Sequence, residues 1–200
     1  NAPHRKPNNL RDRIAFAFVK FLRFFADLFF RKRYGHRAVV LETIAAVPGM
    51  VAGLLQHLRS IRRMRDDQGW VKELLDEAEN ERMHLMTFIQ VAQPSWFERG
   101  LIMVAQAIFY NFYFFLNLFA PKTAHRVVAY FEEEAVTSSP HYLPKQARLR
   151  DVVIAVREDE AGHRDRNHYF ADALIQGDEP KAEAHSSPAN DIAYAREVNV

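Results

Sequence analysis

The sequence predicts an all-helical protein, and three observations carry the prediction. Apolar residues recur at helical spacing almost throughout the 200 residues, the alternating pattern of strands is scarce, and Pro or Gly closes most periodic stretches. A chain of this length buries one full helical core and is too short for two comfortable domains.

Six helices follow in order. The first runs from Leu10 to Phe30, closed by Arg31, Lys32 and Arg33 with Gly35 beyond. The second starts near Arg37 and ends around Asp67, with Gln68 and Gly69 as the stop. The third runs from Trp70 to Gln93, ahead of Pro94, and Ser95 fits as N-cap of a fourth that reaches Phe119. The fifth spans Lys122 to Ser138, between Pro121 and Pro140, and the sixth spans Lys145 to Ile175, before Gly177. The domain reading is a polar arm over 1–9, a helical domain over 10–175 and a polar tail over 176–200 that carries Pro180 and Pro188. The opening segment is polar and basic with no apolar run before Ile14, so no cleavable signal peptide is expected; a presequence already removed would leave no trace.

Composition removes several chemistries. The chain has no Cys, which excludes disulfides, thiolate zinc sites, Cys-ligated iron–sulfur clusters and thiol catalysis. Any metal must be held by oxygen and imidazole nitrogen. With 27 basic and 25 acidic residues the molecule lacks the field that would draw nucleic acid, and no partner of that kind is expected. No Gly-rich phosphate loop is present among the seven Gly.

Two segments differ from ordinary core helices. From Gly100 to Ala120 the chain reads GLIMVAQAIFYNFYFFLNLFA without a charge, about the ~20 residues that cross a bilayer. The first helix reads RIAFAFVKFLRFFADLFFRKR, with Phe on several faces and Lys20, Arg23 and Asp27 between them, which suits a helix lying among lipid headgroups. A buried helix with an amphipathic partner fits the same pattern, and both readings stand at this point. Tyr110 and Tyr113 read as packing or interface residues.

The chemistry rests on glutamates placed on apolar faces. Glu42, in VVLETIAAVPGM, has Ala38, Val39, Ala45 and Ala46 three and four residues away. Glu81 and His84, in AENERMHLMTF, share a face with Leu74, Ala78, Leu85 and Phe88. Glu132, in VVAYFEEEAV, lies among Val128, Ala129, Ala135 and Val136, and Glu160 with His163 follows Val153 and Val156. A carboxylate buried without a partner is costly, and these faces carry too few cations to pair four of them. Two divalent metals would do so, two Fe²⁺ matching four carboxylates. Glu-x-x-His aims both groups at one point from one side of a helix. One Glu from each of two helices plus Glu-x-x-His from each of two others is the known di-metal carboxylate pattern of helical bundles. Roughly 0.6 Glu-x-x-His would arise by chance from 14 Glu and 9 His, so the weight lies in two of them, each preceded by a helix with its own apolar-face Glu. An oxygen-rich donor set favours iron or manganese over zinc or copper. Asn80, Asp159, Arg164 and Asn167 are candidates to orient these ligands, and His57, His125 and His168 read as non-ligands. Arg37, at the start of its helix, is placed to meet a polar headgroup or to be solvated.

LETIAAVPGM, NERMHLM, FEEEA and REDEAGHRDRNH resemble, in order and type, the four signature boxes of the alternative oxidases, di-iron ubiquinol oxidases of mitochondrial inner membranes and some bacterial membranes. The resemblance covers roughly Leu10 to Leu174. It implies a ferritin-like four-helix bundle holding two iron ions, plus two membrane-facing helices (the first and fourth) that dip into one leaflet of a monotopic homodimer. It implies oxidation of ubiquinol and reduction of oxygen to water without proton pumping. Carried over by position, the metal set is Glu42, Glu81, Glu132 and Glu160, with His84 and His163 as ligands or close partners. The quinol pocket comprises Arg37, Leu41, Ala135 and Ser138, with Arg23 and Asp27 nearby, and Asn80 and Asp159 match positions behind the ligands. The plastid quinol oxidases share the boxes, so a plastoquinol-type terminal oxidase is the nearest alternative. A di-iron hydroxylase of a quinone or lipid, and a non-catalytic iron-holding protein, are the others.

Two departures stand out. Gly162 occupies a position where the family has His or another larger residue. Ser139 stands seven residues after the first Glu of the triplet, where the family places a tyrosine beside the irons, and the stretch from Ser139 to Leu143 is shorter than the family's connection. Loss of residues between roughly Ser138 and Leu143 would explain both and is the expectation, with Tyr142 as the residue that would otherwise have to stand in.

Overall fold

The computed structural model describes residues 5–31, 33–138 and 147–177, the side chains of 138 and 147–149 apart. Among the described residues all regular structure is α-helical: α1 (Leu10–Phe30), α2 (Tyr34–Arg63), α3 (Trp70–Ala92), α4 (Trp96–Phe119), α5 (Pro121–Ser138) and α6 (Ala147–Gln176). The all-α expectation holds, and the differences in boundaries have local causes. The chain reverses at Arg31, which takes a left-handed φ of 47°, so Gly35 falls inside the first turn of α2 instead of ending α1. Met64, with φ 49°, ends α2 before the expected Asp67. Asp67 instead lies two residues before Gly69, the N-cap of α3, and its carboxylate accepts from Val71 N in the first turn at 2.6 Å. Pro121 opens α5, where its missing N–H costs no helical bond. Ser95 caps α4 as expected, in a reciprocal capping box with Glu98. The expected start of α6 at Lys145 and the tail beyond 177 lie outside the described residues.

The helices pair before they assemble. α2 packs mainly on α3 and α5 on α6, while α4 lies across α2 and α5 and α1 lies along α5. One apolar cluster joins α2, α4 and α5 through Val47, Val51, Phe109, Tyr113 and Val128. A second fastens α1 to α5 through Ala15, Val19, Val127 and Tyr130, and a third joins α2, α3 and α6 through Ala52, Trp70, Leu74 and Phe170. Between α3 and α6 polar links add to that cluster: Arg166 donates to Glu73 at 2.8 Å, and Asn167 donates to both oxygens of Glu77 at 3.0 Å. That seam is the centre of the bundle.

α2 and α4 are both long and apolar enough to cross a membrane, but 56% of the apolar stretch of α2 is buried in protein against 17% for α4. The first figure marks a core helix. On α1, Ile14, Phe21, Phe24, Phe25, Leu28 and Phe29 are exposed, and on α4 Met103, Val104, Ile108, Phe115 and Phe119 are exposed. Phe18 of α1 stacks on Phe112 of α4 at 5.0 Å, which brings the two helices side by side. Tyr113 is fully buried against Phe109, and Tyr110 is partly exposed. Two helices with outward apolar faces fit monotopic membrane association, and the buried-helix reading of α1 and α4 is not what the fold shows.

Closest approach of α2 to α3 falls at Gly49, where an added Cβ would stand 2.4 Å from the Leu74 carbonyl oxygen and 3.0 Å from Ala78 N. Gly49→Ala is therefore expected to destabilise the fold by about 1–3 kcal/mol through overpacking. Gly162 has open space, its nearest neighbour an Arg166 nitrogen at 3.8 Å, so Gly162→Ala is expected to be neutral or to stabilise by up to ~1 kcal/mol. Thermal unfolding of both variants checks the contrast. A second expectation concerns His125, whose ring packs on Trp70 and Phe170 and pairs with Asn167. Burial pushes its pKa down to about 4, against the pull of Asn167. Unfolded, it takes a proton near 6.5. As pH falls from about 6.5 to about 4, the unfolded chain binds a proton that the folded chain refuses, so stability drops through that window. Denaturant titrations from pH 7 to pH 4 should show a shallower fall in His125→Gln.

Candidate metal centre

Glu42 reaches the seam from α2, Glu81 and His84 from α3, Glu132 from α5, and Glu160 and His163 from α6. Each sits on the apolar side of its helix, so the packing that buries Val47, Leu74, Val128 and Val156 carries these groups inward with it. All six side chains are buried. They form two overlapping groups, Glu42–Glu81–His84–Glu160 and Glu81–Glu132–Glu160–His163, with the ligand atoms of each group within 4.8 Å of one another. Either group could hold a metal ion. Glu81 and Glu160 belong to both.

The imidazoles are held differently. His84 Nδ1 faces Glu42 at 3.5 Å, Glu160 at 3.6 Å and Glu81 at 3.8 Å, while its Nε2 lies 3.2 Å from Asp159. Asn80 donates to the same Asp159 oxygen at 3.5 Å. A carboxylate behind an imidazole fixes the ring and its tautomer, the arrangement seen behind metal-bound histidines. His163 Nδ1 lies 2.7 Å from Glu81 Oε1.

The unmet polar atoms test whether a cation fits. Glu42 Oε2, both Glu81 oxygens, His84 Nδ1 and His163 Nδ1 are buried without a hydrogen bond of proper geometry, even where two of them approach closely. Five such atoms at one point is far from the usual satisfaction of buried polar groups. Protonation behaviour agrees. Burial pushes Glu42 and Glu132 well above the usual carboxylate range, with Glu160 adding to both. Burial also pushes Glu81 up, but His163 and His84 outweigh it and hold it below. Both histidines are held up by the surrounding carboxylates despite their burial. The seam gathers four carboxyl groups against two imidazoles, and a donor set of oxygens and imidazole suits a divalent cation of the iron or manganese type.

Beside the seam lies a cavity of about 700 Å³. Glu42, Glu132 and Glu160 form part of its wall, and apolar residues of α1 and α4, such as Leu22, Ala26, Ile108 and Phe112, form another. Of the residues assigned to a quinol pocket, Arg23, Arg37, Leu41 and Ala135 line it. Asp27 does not, but pairs with Arg37 and, at 3.4 Å, with Arg23. Arg37 is buried, so of the two sequence readings for it, solvation does not apply. The Ser138 side chain, Ser139 and Tyr142 lie outside the described residues.

Several residues near the site escaped the sequence reading. Glu77, one turn before Glu81, is buried, raised by burial and bound by Asn167. Its face carries Leu74 and Glu81, so the rule that found Glu81 extends to it; without a partnering His it gave no separate signal. Glu134 pairs with Arg23 and Lys20 and lines the cavity. Arg126, fully buried, is bound by Asp12 at 3.0 Å and by Asp172 at 2.5 Å, a tie among three helices that no short motif announces. Asn167 does touch the site, donating to Glu77 and to the His163 carbonyl, whereas Arg164 meets only Asp165 in the described contacts. His57 is exposed, and His125 pairs with Asn167 and His168 with Glu133 and Arg126.

Comparison with known proteins bears on the same residues. The family model described as Alternative oxidase matches residues 1–143 and 139–172. A protein named Ubiquinol oxidase, mitochondrial, from Batrachochytrium dendrobatidis is 54% identical, over 86% of this chain and 62% of its own length. Ubiquinol oxidase 1a, mitochondrial, from rice and its namesake from Arabidopsis thaliana are each 50% identical over 89% of this chain, covering 60% and 57% of their lengths. The chain thus spans about six-tenths of the relatives it matches. The alignment with the Batrachochytrium protein runs over 195 positions, while 86% of 200 residues is about 172, so about 23 positions face no residue of this chain. The family match breaks at 139–143, the connection that looks short. With matches to this family over most of its length, the chain belongs to the alternative oxidases.

Proposed function

We propose that this chain is a membrane-bound di-iron quinol oxidase that oxidises ubiquinol and reduces oxygen to water without pumping protons. The observation that carries the reading is the large apolar cavity, whose wall includes three of the clustered glutamates, the paired cations of α1 and α2, and the apolar residues of α1 and α4. A quinol is an apolar molecule with a polar head, and that cavity matches it end for end. Its relatives are named mitochondrial ubiquinol oxidases, and the same substrate and the mitochondrial inner membrane are proposed here.

Glu42, Glu81, Glu132, Glu160, His84 and His163 would hold two irons, with Glu81 and Glu160 serving both. When bound, the irons supply the electron transfer and the oxygen chemistry. The protein's own part is placement. Asp159, steadied by Asn80, orients His84. Arg23, Arg37 and Asp27 hold one another at the cavity wall, where a guanidinium can meet a quinol hydroxyl. Leu41 and Ala135 pack against the ring, and Ser138, at the end of α5, completes the pocket carried over from the family. Apolar walls keep bulk water away from the glutamates. Two quinols give up four hydrogens for each oxygen converted to two waters.

The exposed faces of α1 and α4 are proposed to enter one leaflet, a contiguous apolar surface of a size rare on soluble monomers. The exposed stripe Met50, Leu54, Leu58 and Ile61 on α2 is left for a second copy, making a homodimer. The arm, helical domain and tail remain the proposed division of the chain.

Three expected outcomes test the reading. Purified protein should take up oxygen on addition of ubiquinol, insensitive to cyanide, yielding quinone and not a hydroxylated ring; a metal-loaded protein with no uptake would count against it. Glu81→Ala or Glu160→Ala should lose both ions, whereas Glu42→Ala or Glu132→Ala, each in one group only, should lose fewer; metal analysis by mass spectrometry reads the difference, and full occupancy in Glu81→Ala would contradict the site. Finally, Phe24→Glu with Ile108→Glu should weaken flotation with lipid vesicles at least tenfold, since each buried Phe or Ile is worth about 1.5–3 kcal/mol.

A further inference from the structure

Against His125 lies a second, smaller cavity of about 60 Å³, lined by none of the clustered Glu and His residues of the candidate metal centre. Arg59 and Arg62 of α2, Trp70 of α3, Asn117 of α4, Pro121 of α5 and His125 line it. Trp70, Asn117 and His125 are more than nine-tenths buried. Trp70 Nε1 is a buried donor without a partner, and the buried Asn117 amide, which meets the Tyr113 hydroxyl, has a second N–H to give. No acidic side chain lines the cavity, and neither Arg59 nor Arg62 has an ion pair among the described residues. Pro121 marks the amino end of the 18-residue α5, which contributes partial positive charge to the same space.

Each feature asks for the same complement. Unpaired indole and amide N–H groups need acceptors, two guanidinium groups need negative charge, and a helix amino terminus favours an anion. Water can solvate each of these groups singly, whereas one oxyanion meets the buried N–H groups and the two guanidinium groups of the rim together. We propose that this cavity is a binding site for a small oxyanion, a carboxylate or a phosphate, held by Trp70 Nε1, Asn117 Nδ2 and the guanidinium groups of Arg59 and Arg62. Its size admits a few water-sized groups and not a nucleotide or quinone ring. The anion lies against His125, which Asn167 ties at 3.0 Å and connects onward, at 3.1 Å, to the His163 carbonyl. Occupancy is thereby placed within two hydrogen bonds of the metal-binding turn of α6.

The chain has two tryptophans, Trp70 and the exposed Trp96, so Trp96→Phe leaves a single indole in the proposed site. The full chain in detergent would be titrated with sodium phosphate and separately with sodium acetate, ionic strength being held with sodium chloride, while Trp70 emission is followed. A saturable change with either anion is expected. Saturation with phosphate alone assigns the phosphate class, with acetate alone the carboxylate class, and with both the shared oxyanion chemistry. Arg59→Gln and Arg62→Gln, at the outer rim where folding is not at stake, should each weaken binding about tenfold, the loss of one charge-assisted hydrogen bond. Asn117→Leu should do the same if it folds. No saturable change with either anion, or affinities unaltered in both arginine variants, would overturn the proposal.

Discussion

Four glutamates and two histidines buried at one seam impose the condition that the remaining structure satisfies. A buried carboxylate is tolerated only with a partner, and here the partners are each other. The bundle cannot relax the conflict by turning its helices, because each of these groups shares a face with the residues that make the core. Val47, Leu74, Val128 and Val156 go inward, so the carboxylates go inward as well. The hydrogen bonds around them follow from the same condition: Asp159 behind His84, Asn167 across Glu77, Asn80 behind Asp159. Apolar packing supplies the stability that such a centre consumes, and it does so at both ends of the seam and not within it.

Much of this was legible in the sequence. The six helices, the capping box at Ser95 and the six clustered Glu and His side chains follow from helical period, N-cap chemistry and the two Glu-x-x-His spacings. What escaped has a physical reason in each case. Gly35 reads as a stop, yet α1 ends at Arg31, a non-glycine residue with positive φ, which no composition rule favours. Arg37 at a helix start is ordinarily solvated; its burial depends on Asp27 arriving from another helix. The cavity beside the glutamates is bounded by residues from α1 to α6, and no local pattern records a space that is made by assembly. Arg126 with Asp12 and Asp172 is of the same kind, a tie among residues far apart in the chain.

The uncharged run of α4 gave two readings by sequence because a buried helix and a lipid-facing helix have the same composition. Neighbours decide between them. α2 is equally apolar and has partners on most of its surface, while α4 rests on α2 and α5 along one side and turns Met103, Ile108 and Phe119 outward beside the Phe-rich face of α1. Residues of these same two helices, such as Leu22 and Ile108, also wall the cavity beside the glutamates, so one pair of helices makes both the apolar exterior and part of the apolar interior.

The helix pairs α2–α3 and α5–α6 each close over their own contacts, and the seam between them is bridged by side chains and not by closely packed backbone. This has a consequence for the order of assembly. A newly made chain can form the first pair through the short turn at 64–69, because local contacts cost little loop entropy. Joining the two halves brings the acidic faces together, which self-repulsion resists until protons or cations neutralise them. Closing the bundle over these faces is therefore linked to charge neutralisation, and either protons or cations favour it.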